Sequence, residues 1–288
     1  MKLAESELIF NESGRIYHLN VSGEDIADIV ILVGDPNRVD KFVKHFDKIE
    51  VERRKREFRT VTGTIGSKRI TVIGTGIGTD NIDIVMNELD IAVNYDRETQ
   101  TWKENRRRLT VIRAGTTGAL QNEIRAGDLV VSSWAAGFDN LASYYEWDPD
   151  SEERAVRTAF ISFAPHVPTP YFIKANQGLV EKFKNDNVFV GITATAPGFY
   201  GPQGRQAFAK IRYSLLPEVL HKFEYNGLRF TNFEMETSAL LLLAQLMGWQ
   251  ATTVCVALAG RLAGTFTKDY SATIEKLVRY TIEVAIRL

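Results

Sequence analysis

Ile29-Val30-Ile31-Leu32-Val33-Gly34-Asp35-Pro36-Asn37-Arg38 runs five apolar residues into a glycine, a proline and a cation, and an amphipathic stretch (39–46) follows at once. The uninterrupted apolar run predicts a strand buried on both faces, and the stretch after it a helix. The same alternation recurs along the chain. Strands are predicted at 69–73, 109–114, 129–133, 188–193 and 252–259, with an amphipathic helix at 81–93. Near the C-terminus Ile274, Leu277, Val278, Ile282, Ala285 and Ile286 fall on one helical face. Alternating strands and helices imply an α/β fold, a three-layer α/β/α sandwich around a central mixed, largely parallel sheet.

Two stretches break the rhythm: 94–108, dense in charges and amides, and 143–157, mixing aromatics with acids. Apolar strands resume after each, so both read as surface excursions of one domain covering 1–288, not as linkers. At 44% hydrophobic and 25% charged residues, disorder is excluded as a description of the chain. A net charge of −1 supplies no global field for nucleic acid or an anionic membrane, so neither is expected as a partner. The basic run Arg53, Arg54, Lys55, Arg56 is local and reads first as solvated surface. Residues 1–10 carry acidic side chains and no long apolar stretch, so no signal peptide is read there. The single cysteine, Cys255, excludes an internal disulfide framework and reads as a buried, inert thiol. Together these predict a cytoplasmic protein.

In open α/β sheets ligands bind beyond the carboxyl ends of the strands. Four segments stand there. Gly34-Asp35-Pro36-Asn37-Arg38 joins a close-approach glycine to a guanidinium suited to phosphate oxygens. Gly74-Thr75-Gly76-Ile77-Gly78-Thr79 has its third glycine one residue early for a dinucleotide fingerprint. Arg113-Ala114-Gly115-Thr116-Thr117-Gly118 puts an arginine at the end of a buried strand, where it needs a partner, and reads as a polar turn beyond it. Phe233-Glu234-Met235-Glu236-Thr237-Ser238 opens an apolar helix (239–247) capped by Gly248. Its carboxylates either cap that helix or accept from a vicinal diol. Between these lies Phe199-Tyr200-Gly201-Pro202-Gln203-Gly204-Arg205. The Gln203 amide complements an N–H beside a C=O, the edge that uracil presents, and Phe199 offers a ring face for stacking.

Taken together and in order, GDPNR, REF, GTGIG, IRAGTTGA, FYGPQGR and FEMETSALL resemble the nucleoside phosphorylase family with the single-domain α/β fold, on its uridine-cleaving side. The resemblance runs from about His18 to the C-terminus. It implies a phosphate site of Gly34, Arg38, Arg113 and Thr116, completed by Arg56 from a neighbouring subunit. It implies a ribose site of Met235 and Glu236, with the neighbour's His18 at the 5′-hydroxyl. Base binding falls to Phe199, Gln203, Arg205 and Glu234, with Arg261 beside the carbonyl that gains charge. Arg113, Glu236, Arg205 and Arg261 then carry catalysis. No cofactor is implied, and inorganic phosphate is the co-substrate.

Relatives that hold a monovalent ion at the dimer centre have Glu, Ile and Ser where this chain has Glu57, Ile77 and Asn81, so the third position departs. The resemblance implies a homodimer, with a hexamer built from dimers as the alternative; the long excursions favour the dimer. A purine-cleaving relative would place an Asp in the Ala259-Gly260-Arg261 turn, which has none. A hydrolase would not need three phosphate arginines. A non-catalytic nucleoside binder of the same fold would be free to lose them.

Overall fold

The computed structural model describes residues 7–288; residues 1–6, part of the 1–10 stretch read above, lie outside the described residues. Strand β1 (Ile29–Val33), buried throughout, feeds helix α1 (Arg38–Val43). A hairpin of β2 (Lys48–Lys55) and β3 (Phe58–Ile65) leads to β4 (Lys68–Gly74) and helix α2 (Thr79–Asn94). A ribbon of β5 (Tyr95–Asp96) and β6 (Thr101–Trp102) precedes the long strands β7 (Thr110–Ala119) and β8 (Leu129–Gly137). Helix α3 (Ser151–Phe163), β9 (Tyr171–Lys174), α4 (Gln177–Phe183) and β10 (Val188–Thr195) follow. The remainder is α5 (Leu216–Lys222), β11 (Glu224–Tyr225), β12 (Leu228–Glu234), α6 (Thr237–Met247), β13 (Gln250–Gly260), β14 (Thr265–Phe266) and α7 (Tyr270–Ala285).

One mixed sheet carries the order β11-β12-β10-β8-β13-β7-β1-β4-β3-β2, with β9 added to β8 and β14 to β13. Strands β13, β7, β1 and β4 run parallel to one another, as β10 does to β8 and β12. Strand β12 also reaches β7 antiparallel, pairing Asn232 with Ala119 and Phe233 with Gly118. That pairing closes β7, β13, β8, β10 and β12 on themselves, so half of the sheet is barrel-like, and closure removes an exposed edge. It also sets the end of β12 against the carboxyl-terminal half of β7. The connection from β1 through α1 to β4 steps one way, and that from β4 through α2 to β7 steps back across β1. A shared right-handed crossover therefore puts α1 and α2 on opposite faces. Helix α1 packs with α7, and α2 with α6.

The structure differs from the sequence reading in four places. Residues 115–118 are not a turn but part of β7, paired with β13. Alternate strand residues share a face, and a Cβ at Gly115 would lie 2.1 Å from the Arg113 guanidinium, which folds across it. Glycine here makes room for a side chain, not for a turn. The β2–β3 hairpin was not anticipated, because β2 is largely solvent-facing and charged. Within 143–157, residues from Ser151 onward form the first half of α3, whose Asp150 cap accepts from Glu152 and Glu153 and whose Val156 is buried. Ile286 lies past the end of α7 and is exposed, unlike the other residues of its predicted face. The segment 94–108 does lie on the surface, and two of its arginines tie it to the body of the chain. Arg106 pairs with Asp90 at 2.5 Å, and Arg107 with Asp28 at 2.6 Å.

Candidate active site

A cavity of about 720 Å³ opens where β1, β4, β7, β12 and β13 end. Its walls include Gly34, Arg38, Arg113, Thr116, Phe199, Gln203, Arg205, Glu234, Met235 and Glu236, together with Glu57, Ile77 and Asn81. Each wall arises locally. Gly34 follows β1, and a Cβ on it would sit 3.4 Å from the Gly76 carbonyl and 3.9 Å from Arg113 Nη2, so the backbone passes close to the guanidinium. Arg38, in the first turn of α1, is buried and donates from Nη1 to the Ala114 carbonyl at 3.1 Å. That bond lays it across the middle of β7. Gly76 and Gly78 both adopt positive φ, which glycine takes at no steric cost, and Gly78 N–H donates to Glu236 Oε1 at 2.9 Å.

Arg113 is the hub. Its Nη2 pairs with Glu236, its Nη1 lies 3.3 Å from Glu234 Oε2, and Nη1 also contacts Cys255 Sγ at 3.7 Å. Burial works against the Arg113 charge, but Glu236 and Glu234 more than offset it and hold its pKa above the ordinary guanidinium range. Burial pushes the Glu236 carboxyl up, Arg113 pulls it down, and Glu234 pushes it up again. Gly78 N–H, Met235 N–H and Arg113 all donate to Glu236, so the site is built for its ionised, acceptor-only form. Burial pushes the Cys255 thiol up to about 12, against the pull of Arg113. The thiol reading is therefore matched by its surroundings.

Glu234 lines the same cavity, yet its oxygens are already engaged. Oε1 accepts from Thr195 Oγ1 at 2.7 Å and Oε2 from Glu236 N at 2.9 Å, while Thr237 N donates to both. This geometry caps the start of α6 and braces Arg113, a different part from the base contact expected of it.

At the other end of the cavity Gln203 is buried and its Oε1 accepts from Arg205 Nη1 at 2.5 Å. The Arg205 guanidinium stacks on the Phe199 ring at 3.9 Å and also donates to the Phe199 carbonyl. Arg261 does not line the cavity. It stands behind Gln203, donating from Nη2 to the Gln203 carbonyl at 2.8 Å, with its stem against Gly118. Burial, and then the nearby Arg261, lower Arg205 to about 10; burial also lowers Arg261. Two half-buried guanidiniums thus share a corner in which neither forms a salt bridge among the described residues. Arg113 Nε and Arg261 Nη1 are buried donors without a partner. An unsatisfied buried donor costs roughly 1–3 kcal/mol, a penalty that a bound acceptor relieves.

Two expected residues lie elsewhere. Arg56 sits at the tip of the β2–β3 hairpin with φ of 51°, its guanidinium 5.8 Å from the centre of the Tyr17 ring. The His18 ring makes a T-shaped pair with the same Tyr17, 4.8 Å between centroids. The two therefore belong to one patch outside the chain's own cavity. The sequence reading missed Phe266, which reaches the cavity from β14. It sits in a short stretch of mixed character (262–270) with no periodic signal. Thr117, also in the wall, was legible only as part of a motif; its Oγ1 donates to the Phe233 carbonyl at 2.5 Å and ties β7 to β12.

The arrangement can hold an oxyanion between Arg38 and Arg113, a diol at Glu236, and a planar amide-like ring against Gln203 and Arg205. The family model described as the phosphorylase superfamily matches residues 28–287. A uridine phosphorylase of Thermococcus kodakarensis is 31% identical over 93% of this chain and 85% of its own length. A DeoD-type purine nucleoside phosphorylase of Bacillus velezensis is 27% identical over 92% of this chain and 97% of its own. A crystal structure of a Trypanosoma brucei nucleoside phosphorylase, described as showing uridine phosphorylase activity, superposes with a TM-score of 0.88 at 28% identity. It covers 98% of this chain and all of the other.

Proposed function

The chain belongs to the phosphorylase superfamily, and from that membership we propose that it cleaves uridine with inorganic phosphate to uracil and ribose 1-phosphate. What carries the reading is the meeting of Arg38, Arg113 and Glu236 in one cavity with the Gln203–Arg205 pair at its far end. In this scheme Gly34, Arg38, Arg113 and Thr116 hold phosphate beneath the anomeric carbon. Met235 and Glu236 hold the ribose. Phe199, Gln203 and Arg205 hold the uracil, and Arg261 supports them from behind.

Phosphate approaches as the glycosidic bond stretches, and the sugar gains oxocarbenium character, as in glycoside cleavage generally. Glu236 accepts from the 2′- and 3′-hydroxyls and keeps the ring in register with the attacking oxygen. Uracil leaves as an anion, and Arg205, which has no carboxylate partner among the described residues, meets its carbonyl charge, with Arg261 adding positive field from behind Gln203. A donor of this kind supplies about 2.7–4 kcal/mol by oxyanion-hole precedent. Gln203 suits an N–H beside a C=O, an edge that uracil shares with 6-oxopurines, and the choice of a pyrimidine rests on the Ala259-Gly260-Arg261 turn, which lacks a carboxylate for a purine N7.

We further read the protein as one domain that works in the cytoplasm as a homodimer in nucleoside salvage. Support for the dimer comes from Arg56 and His18, which share a patch that the chain's own cavity does not use. No described helix is long and apolar enough to cross a membrane. Incubation of the protein with uridine, with and without phosphate, tests the activity. Uracil release only with phosphate is expected; release without phosphate indicates hydrolysis, and no release leaves a binder, and either result overturns the reading.

A further inference from the structure

We propose that Glu88 is a positioning residue that aims His18 at the sugar bound in a neighbouring subunit; the inference rests on the reading that His18 serves the partner's 5′-hydroxyl. Glu88 lies on α2 and is only 7% exposed. A buried carboxylate is unfavourable unless its oxygens are matched. Among the described residues no lysine or arginine pairs with it. Its partners are the His18 N–H, 2.9 Å from both oxygens, the Leu19 N–H at 2.7 Å, and His18 Nδ1 at 2.6 Å.

Two backbone N–H groups alone would be satisfied by one amide oxygen with its two lone pairs. The second oxygen is used by the imidazole. An ionised carboxylate only accepts, so the proton of that bond sits on Nδ1, and the position of the ring and the role left to Nε2 are set together. Nε2 has no hydrogen-bond partner among the described residues. The ring makes T-shaped contacts with Tyr17 and Phe58, with centroids 4.8 and 6.4 Å away. One ring nitrogen is thus pinned by Glu88 and the other left free of a described partner, on a partly exposed side chain that shares Tyr17 with Arg56.

The test uses the full chain and the ratio of kcat/KM for uridine to that for 5′-deoxyuridine, which lacks the hydroxyl. Both rates come from one sample, so a partly folded variant cancels from the ratio, which a merely structural role would not move. One hydrogen bond to that hydroxyl makes the wild-type ratio about tenfold. His18→Ala brings it close to unity. Glu88→Gln is expected to bring it within about twofold of the His18→Ala value, while activity on 5′-deoxyuridine persists. Glu88→Asp, which withdraws the carboxylate by one methylene, lowers the ratio as well and stands in if Glu88→Gln does not fold. A Glu88 variant that keeps the wild-type ratio while His18→Ala loses it overturns the proposal and leaves the reading of His18 intact. A wild type without preference, or a His18→Ala variant that retains it, instead removes the reading of His18, and the proposal falls with it.

Discussion

Replacing Glu236 with glutamine changes one oxygen to an amide nitrogen and little else in shape. The consequences follow from its three donors. Glu236 Oε1 accepts from Gly78 N–H, and Oε2 from Arg113 and from Met235 N–H. A glutamine has one acceptor oxygen and an NH₂ group, so one side of the site must set donor against donor. If Arg113 had no other partner, breaking a buried pair would cost about 3–5 kcal/mol. Glu234 remains 3.3 Å from Arg113 Nη1, so the expected loss of stability is smaller, roughly 1–3 kcal/mol, the range for one unsatisfied buried donor. Catalysis loses a charged hydrogen bond to the ribose, about 1.5–3 kcal/mol, or roughly 10- to 150-fold in kcat/KM. The loss should be larger for uridine than for 2′-deoxyuridine, because the deoxy sugar has less to lose. Urea unfolding gives the first quantity, and phosphorolysis followed by ultraviolet absorbance gives the second. A variant destabilised as expected but with kcat/KM for uridine within threefold of wild type (a change of about 0.6 kcal/mol) would show that Glu236 is only the partner of Arg113. The mechanism would then be wrong at its centre.

Other expectations follow from the same geometry. Gln203→Ala should lower kcat/KM for uridine by about 10- to 100-fold, with the KM for phosphate nearly unchanged; unchanged uridine kinetics would remove the base-site assignment. Arg56→Ala should be nearly inactive as a homodimer, yet regain activity when mixed with inactive Glu236→Ala. In such a pair one cavity with Glu236 faces one intact Arg56, and steady inactivity of the isolated mixed dimer would refute a shared site. At pH 8 the Cys255 thiol should be inert to Ellman's reagent in the folded protein and react after unfolding. Its pKa lies near 12 in the fold against about 8.5 when free, so the native thiolate fraction is negligible, and rapid native labelling would contradict the burial described.

Much of the site was legible because its chemistry is written in side-chain types. A guanidinium beside a glycine, a carboxylate opening an apolar helix and an amide in a Gly/Pro loop each announce a hydrogen-bonding capacity. The errors arose where a residue's reason was the fold of another side chain, which composition and periodicity do not show. Gly115 and Gly118 read as turn formers, yet each makes room for an arginine side chain, Arg113 in one case and Arg261 in the other. Glu234 carried two readings, helix cap and base ligand, and its bonds to Thr195, Arg113 and the first N–H groups of α6 match the first while it still lines the cavity. The β2–β3 hairpin escaped notice because its outer strand is polar, so burial gave no periodic signal.

By itself, the amino-acid order determined the buried strands, the amphipathic helices and the set of functional groups available, since these depend on neighbours a few positions away. Only the tertiary structure decided that Arg113 and Glu236, 123 residues apart, would share a bond, and that Arg38 would reach the Ala114 carbonyl. The first meeting goes with β12 closing against β7 and the second with β1 pairing alongside β7, pairings between distant segments that no local pattern encodes. Tertiary structure likewise decided that His18 and Arg56 would share a patch around Tyr17 outside the cavity of their own chain.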